Sequence, residues 1–417
     1  MSTGGKRHGS AVEAGAKRPV VGLLGLFGVG NLGNDGSFEV GLAMVRQHAP
    51  GADVVCITSA PKNITRRFGV ASMQMREPRA MPSWMLTRGR WRSIVLPLAE
   101  IRRWVGTYRA TRGMDAIVIP GTGVLDDFGL RPQGVPYILF RWAVCSRLAR
   151  TPFSFVGIGA GPIKNPASRR LMGWTARLAT HRSYRDRGSA SYMAALGAPG
   201  HFTPDIVFAD PHLRSEPETC PSHPFGVIGV GIMSYAGWTD HVSDGAADDA
   251  SAAENYVARI VDLVGRLLDD GNEVSLVIGA ESDLATVATV VAAVEASGRE
   301  VEGRVHTPEI MSLGDLCREL AKTDGAIVTR YHNLVCSLIA GRACVPIGYE
   351  ARFDELTQAA GLPAFGHRTE SFETEQVVAD LAAARAEQCA RSPQVADRLA
   401  EFDELVHSDF AAVLENL

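Results

Sequence analysis

The residues best suited to chemistry lie in Thr329-Arg330-Tyr331-His332-Asn333. This segment follows an apolar run, Gly325–Val328, and opens Asn333–Ala340, which has helical patterning. An arginine offers a planar, permanently charged fork that matches a carboxylate or a phosphate. A helix starting beside it adds partial positive charge from its unpaired N–H groups. A histidine two residues on can take or give a proton near neutral pH. Arg330 and His332 are therefore read as an anion-binding and proton-transfer pair. Arg185, in Ser183-Tyr184-Arg185-Asp186, is a second arginine at the end of a strand-like run. It serves either the same anion or a salt bridge with Asp186 or a neighbouring acid.

Three glycine turns supply the remaining candidates. Gly28-Val29-Gly30-Asn31-Leu32-Gly33-Asn34-Asp35-Gly36 follows the run Val20–Leu26 and precedes a helix expected over Ser37–Gln47. Gly28, Gly30 and Gly33 have the spacing of a dinucleotide fingerprint. An NAD site also wants an acid after the second strand, where this chain has Thr58-Ser59-Ala60. Asn31 and Asn34 suit sugar hydroxyls better than a pyrophosphate. Asp35 is read either as a base for such a hydroxyl or as a cap of its own helix. Gly121-Thr122-Gly123 and Gly157–Pro162 also sit just beyond apolar runs. In open α/β sheets, ligands bind outside the carboxyl ends of the strands. The turns thus frame a cleft, although close helix–strand packing accounts equally well for any single glycine.

These residues need a scaffold, and the chain alternates short apolar runs with helical stretches. Val20–Leu26, Asp53–Thr58, Ala116–Pro120, Phe153–Ile158 and Ile206–Phe208 read as strands. Val135–Arg150 and Ser168–Thr180 read as helices. The alternation stops at a proline-rich linker, 213–224, and resumes. Gly226–Met233, Val274–Ile278, Ala326–Thr329 and Cys344–Gly348 are then strands, with helices over Ala252–Leu268, Asp283–Ala296 and Ser312–Lys322. Continuous apolar strands between helices indicate parallel sheets covered on both faces. The expected organisation is a flexible tail (1–18), a first Rossmann-like domain (19–212), the linker, a second such domain (225–372) and a helical segment (373–417) broken near Pro393.

Composition narrows the function class. The 417 residues are 46% hydrophobic and 21% charged, which excludes a disordered chain. With 42 basic against 46 acidic residues the net charge is −4, which argues against general nucleic-acid binding. The seven cysteines are scattered without a C-x-x-C pair, so neither a disulfide framework nor a zinc knuckle is expected. The Asp and His residues likewise form no tight metal-ligand pattern, and no metal is expected. No run approaches about 18 uncharged apolar residues, so no membrane span is expected and the cytoplasm is the expected compartment. One segment stands apart. Arg66–Arg112 holds eleven arginines against Glu77 and Glu100, interleaved with Trp84, Trp91, Trp104, Met73, Met75, Met81 and Met85. Either the apolar residues are core and the arginines a solvated rim, or the segment lies on an anionic membrane surface.

In order and spacing, these motifs resemble the polysaccharide pyruvyl transferase family. The resemblance covers most of residues 20–365. It rests on Gly28, Asn31, Gly33 and Asp35, on Ile119–Gly123, Gly157–Pro162, Tyr184–Asp186 and Pro204-Asp205, and above all on Thr329–His332 with Val345–Tyr349. It implies two facing Rossmann-like domains of the glycosyltransferase-B type, an α/β fold with an interdomain cleft and a closing C-terminal helical segment. It also implies transfer of pyruvate from phosphoenolpyruvate to two hydroxyls of a sugar, as a cyclic ketal. In that reading His332 and Asp35 are catalytic, Arg330, Arg185 and Arg352 bind the donor, and Asn31, Asn34, Gly121, Thr122 and Gly123 face the acceptor. Phosphoenolpyruvate is a co-substrate and no cofactor is implied. The partners are the donor and a sugar or lipid-linked saccharide, with peripheral membrane contact through Arg66–Arg112 at the inner face. Three positions depart from the family pattern: Tyr331 where leucine is common, Thr122 where glycine is usual, and Arg352 where a lysine commonly stands. The alternative is a nucleotide-sugar glycosyltransferase of the same architecture, with Glu281-Ser282-Asp283 as its ribose acid.

Overall fold

The computed structural model describes residues 18–77, 92–126, 130–213, 226–235, 246–415 and 417. In the first half, β1 (Val20–Leu24), β2 (Asp53–Thr58), β3 (Ala71–Gln74), β4 (Ala116–Pro120), β5 (Phe153–Ile158), β6 (His181–Tyr184) and β7 (His201–Phe202) form one parallel sheet. Between them run α1 (Leu32–His48), α2 (Pro61–Phe68), α3 (Arg92–Thr111), α4 (Val135–Ala149), α5 (Pro166–Leu178) and α6 (Arg187–Ala195). The strand order is β3-β2-β1-β4-β5-β6-β7. β4 and β5 are buried at every position, which is why they read as unbroken apolar runs.

The second half repeats the plan. Its strands are β8 (Val227–Ile232), β9 (Glu273–Ile278), β10 (Val305–His306), β11 (Gly325–Val328), β12 (Cys344–Gly348) and β13 (His367–Arg368). Its helices are α7 (Ala246–Asp269), α8 (Leu284–Ala296), α9 (Leu313–Ala321), α10 (Tyr331–Ile339) and α11 (Arg352–Ala359). The order β10-β9-β8-β11-β12-β13 matches that of the first sheet over six strands. Both are Rossmann-like domains. In each, the order reverses between the first and fourth strands, and the crevice beyond those strand ends is the place for a ligand.

The last helix, α12 (Thr374–Leu414), ties the two domains together. Val377 and Leu381 enter the core of the second domain, while Val406, Phe410 and Leu414 enter that of the first. The expected break at Pro393 does not occur. The ring removes one backbone donor, but packed residues on both sides, Gln388 before and Val395 after, carry the helix through.

Other expectations need correction. Ile206–Phe208 is not a strand but part of a 3-10 turn, Ile206–Ala209, started by Asp205, whose Oδ1 accepts from Val207 N at 3.1 Å. The first helix begins at Leu32 rather than Ser37, with Asn31 Oδ1 accepting from Asn34 N at 3.0 Å. Cys389 on α12 is disulfide-bonded, whereas Cys56, Cys145, Cys317, Cys336 and Cys344 are free and buried. Folding also gathers three residues that are far apart in the chain, His181, His201 and Asp409. The expected linker falls almost wholly outside the described residues. No helix among the described residues is long and apolar enough to cross a membrane.

Candidate active site

The two reversal points face each other, and the backbone fixes how closely. Gly28 and Gly30 take positive φ angles of 74° and 80°, turning the chain after β1 toward the second domain. There Leu32 N donates to Gly279 O at 3.0 Å, and Glu281 N donates to Gly30 O at 2.8 Å. Gly33 lies inside α1, where a Cβ would stand 2.0 Å from His332 Nδ1. Its lack of a side chain is used for close approach of the domains rather than for a phosphate turn.

Between the domains lies a cavity of about 270 Å³. Asn31, Asn34, Gly123 and Arg185 line it from the first domain, and Arg330, His332 and Arg352 from the second. A methyl built on Gly123 would lie 3.5 Å from Asp126 Oδ2, 3.6 Å from Arg185 Nη2 and 3.9 Å from Arg352 Nη1, so two guanidinium groups and one carboxyl converge on one point. The guanidinium groups offer donors to an anionic ligand, and the carboxyl offers an acceptor beside them.

Each arginine is braced from behind. Arg330 Nε donates to Asp283 Oδ2 at 3.0 Å, and its Nη2 binds Asp283 Oδ1. Burial alone would lower the Arg330 pKa, but the Asp283 charge holds it above the usual arginine value. Arg352 pairs with Glu350. Arg185 Nη1 donates to the buried Asp205 at 2.9 Å, and its guanidinium stacks 4.2 Å from the Tyr331 ring centroid. The tyrosine that departs from the family pattern is thus a shelf for this cation. The bracing acid is Asp205, not the adjacent Asp186, whose side chain caps α6.

His332 Nε2 stands 3.6 Å from Asp205 Oδ2, across the domain boundary. Burial would raise the Asp205 pKa, but the charges of His332 and Arg185 hold it below the ordinary carboxylate range. His332 Nε2 and Arg185 Nε are both buried without a hydrogen-bond partner among the described residues.

Some expected site residues lie elsewhere. Asp35 is 3% exposed and is not part of the cavity lining. Its Oδ1 accepts from Gly28 N at 2.6 Å and its Oδ2 from Arg67 at 2.9 Å, pinning the glycine turn. Burial raises its pKa against these contacts. Asp126 instead brings a first-domain carboxyl to the cavity. Nothing in its local sequence marked it, because its position depends on the turn after β4. Gly121 and Thr122 sit behind the wall, where Gly121 O accepts from Ser37 Oγ at 2.9 Å. Only Gly123 of that turn reaches the cavity.

The acid offered by the alternative reading divides in two. Asp283 is fully buried, and besides Arg330 it accepts from Ser234 N at 2.8 Å, Gly279 N at 3.1 Å and Ala280 N at 2.9 Å. Its oxygens are occupied, leaving little capacity for a ribose hydroxyl. Glu281 is exposed beside Gly30.

The arginine-rich segment also divides. Residues 78–91, with Trp84, Trp91, Met81 and Met85, lie outside the described residues. Arg103 is structural, donating to Glu77 at 2.9 Å and Glu100 at 3.1 Å, and Trp104 donates to Tyr137 Oη at 2.9 Å. On α3, however, Leu98, Ile101 and Val105 are 45%, 60% and 42% exposed, at the spacing of one helix face.

Several solved structures share this architecture. Anabaena Alr3699/HepE in complex with UDP-glucose aligns with a TM-score of 0.58 at 12% identity, covering 95% of this chain and 100% of that one. A putative UDP-N-acetylglucosamine 2-epimerase from Listeria monocytogenes aligns at 0.55 and 11% identity, covering 90% and 91%. At such identities the likeness establishes the fold, the glycosyltransferase-B arrangement of two Rossmann-like domains. No curated protein matches the chain in sequence. The model of one family, polysaccharide pyruvyl transferase, matches residues 31–351, which span every cavity-lining residue named above except Arg352, and the chain belongs to that family of transferases.

Proposed function

We propose that the protein transfers pyruvate from phosphoenolpyruvate to two hydroxyls of a saccharide, forming a cyclic ketal. The observation that carries this reading is the convergence of Arg185, Arg330 and Arg352 with His332 in one interdomain cavity. Phosphoenolpyruvate presents a carboxylate and a phosphate on three carbons. It matches several arginines in a space below the roughly 300–1,000 Å³ of typical ligand sites.

In the proposed reaction, protonated His332 gives its proton to the methylene carbon, which becomes a methyl group. A saccharide hydroxyl bonds to the adjacent carbon, and its proton leaves to a base. The carbon–oxygen bond to phosphate then breaks, and the phosphate departs with that electron pair onto the arginines. A second hydroxyl closes the ketal and releases its own proton. Asn31 and Asn34 orient the acceptor, and Asp126 takes the role of base that the sequence suggested for Asp35. The account needs no metal ion or nucleotide.

Arg352 gives the donor test. Removing one charged hydrogen-bonding group costs about 1.5–3 kcal/mol, a loss of roughly tenfold to hundredfold. Isothermal titration should show phosphoenolpyruvate binding weakened to that extent in Arg352→Gln, with Arg352→Lys retaining most of it. Tight binding of a uridine diphosphate sugar with no binding of phosphoenolpyruvate would favour the glycosyltransferase reading.

The apolar face of α3, flanked by arginines, further supports the proposal that the acceptor is lipid-linked and met at a membrane surface. The protein should sediment with anionic liposomes at low salt and be released at high salt, where screening removes the attraction. Indifference to such liposomes at low ionic strength would leave α3 a solvated helix.

A further inference from the structure

A second cluster of chemistry-bearing side chains lies away from the cavity. His181 opens β6, His201 opens β7, and Asp409 lies near the end of α12. His181 Nε2 stands 2.5 Å from Asp409 Oδ1, and His201 Nε2 stands 2.8 Å from the same oxygen. All three donor atoms fall within 4.8 Å of one another. A zinc ion with nitrogen ligands at about 2.0–2.1 Å and a carboxylate oxygen at about 2.0–2.2 Å holds its donors roughly 3.3 Å apart. Small side-chain movements would convert the hydrogen-bonded cluster to that spacing.

The supports around the cluster suit the same role. Asp409 is buried, and its second oxygen accepts a hydrogen bond from Ser183 Oγ. That hydroxyl is itself fixed by Gly157 N, which donates to it at 2.7 Å. A metal-bound carboxylate is commonly oriented by such an outer contact. The two imidazole rings meet edge to face, at 77° with centroids 5.1 Å apart, so both ring edges reach one point. The His201 side chain is 54% exposed, which leaves a path for the ion and room for a water as fourth ligand.

We propose that His181, His201 and Asp409 form a binding site for a divalent transition-metal ion, of which zinc best fits two imidazoles and a carboxylate. The bound ion clamps α12 to the sheet of the first domain. It is a tether rather than a reaction centre. β6 has four residues, so His181 lies roughly 13 Å along the strand from the end that carries Arg185 toward the cavity. Because α12 also enters the core of the second domain, the ion would stabilise the helix that joins both domains.

The test uses the full chain, freed of metal with a chelator and titrated with zinc ion alone. One equivalent should bind per chain and raise the melting temperature, and the chelator should reverse the rise. His201 is largely exposed, so His201→Ala should fold normally yet bind zinc at least about tenfold more weakly and lose the thermal shift. Asp409→Asn should behave alike, while His306→Ala, a surface histidine on the second domain, should leave both readouts unchanged. Cobalt in place of zinc should give visible absorption bands of a four-coordinate nitrogen and oxygen site in wild type but not in His201→Ala. Absence of a zinc-dependent thermal shift in wild type would overturn the proposal, as would an equal shift in His201→Ala.

Discussion

His332 belongs to one domain by its backbone and meets Asp205 of the other with its ring. Its function therefore depends on both domains at once. His332→Ala should lower phosphate release by roughly two to four orders of magnitude with little change in melting temperature. Asp35 and Asp126 separate by a similar contrast. Asp126→Asn should reduce turnover, whereas Asp35→Asn should act mainly on stability through the Gly28 and Arg67 contacts. Asp205 gives a pH dependence with a definite sign. Its folded pKa lies below the ordinary carboxylate value of about 3.9, so its contribution to stability is complete above that pH. The contribution is lost as pH falls through the depressed value, and urea midpoints should fall below about pH 4. The Arg330–His332 pair was legible in the sequence because adjacent residues on a strand-to-helix turn must share a location. Asp205 stood out only as part of a motif and Asp283 only as a ribose acid; their bracing roles, and the place of Asp126, were not legible, since these depend on partners far away in the chain.

Glycine acts in α1 in a way that a linear motif conceals. The G-x-G-x-x-G spacing suggested a phosphate loop, but the helix starts early enough to enclose Gly33. Gly33→Ala should displace His332 and depress turnover strongly, although alanine is the better helix former. The strands at the sheet centres were legible because burial on both faces leaves continuous apolar runs. The two-residue edge strands β7, β10 and β13 carry no such run and were missed. In α12, tertiary packing outweighs the helix-breaking tendency of Pro393. Phe410→Ala removes a fully buried ring from the first-domain core and should cost about 3–5 kcal/mol, measurable by urea unfolding.

At the scale of the whole molecule, two sheets of like strand order present their reversal points to each other, and the reacting groups come from both sides of the gap. Alternating strands and helices made this plan legible, whereas the facing of the domains rested on resemblance to a family. Contacts such as Leu32 with Gly279 have no signature in either segment alone. The central claim is that the cavity joins phosphoenolpyruvate to a diol. Its most direct measurement is turnover of purified protein with phosphoenolpyruvate and a panel of saccharides, following inorganic phosphate and product mass together. The account predicts one phosphate released per acceptor consumed, and a product heavier than the acceptor by pyruvate less one water. It is contradicted if a panel that includes lipid-linked saccharides yields no phosphate from phosphoenolpyruvate, while a nucleotide sugar is consumed and its sugar appears on the acceptor.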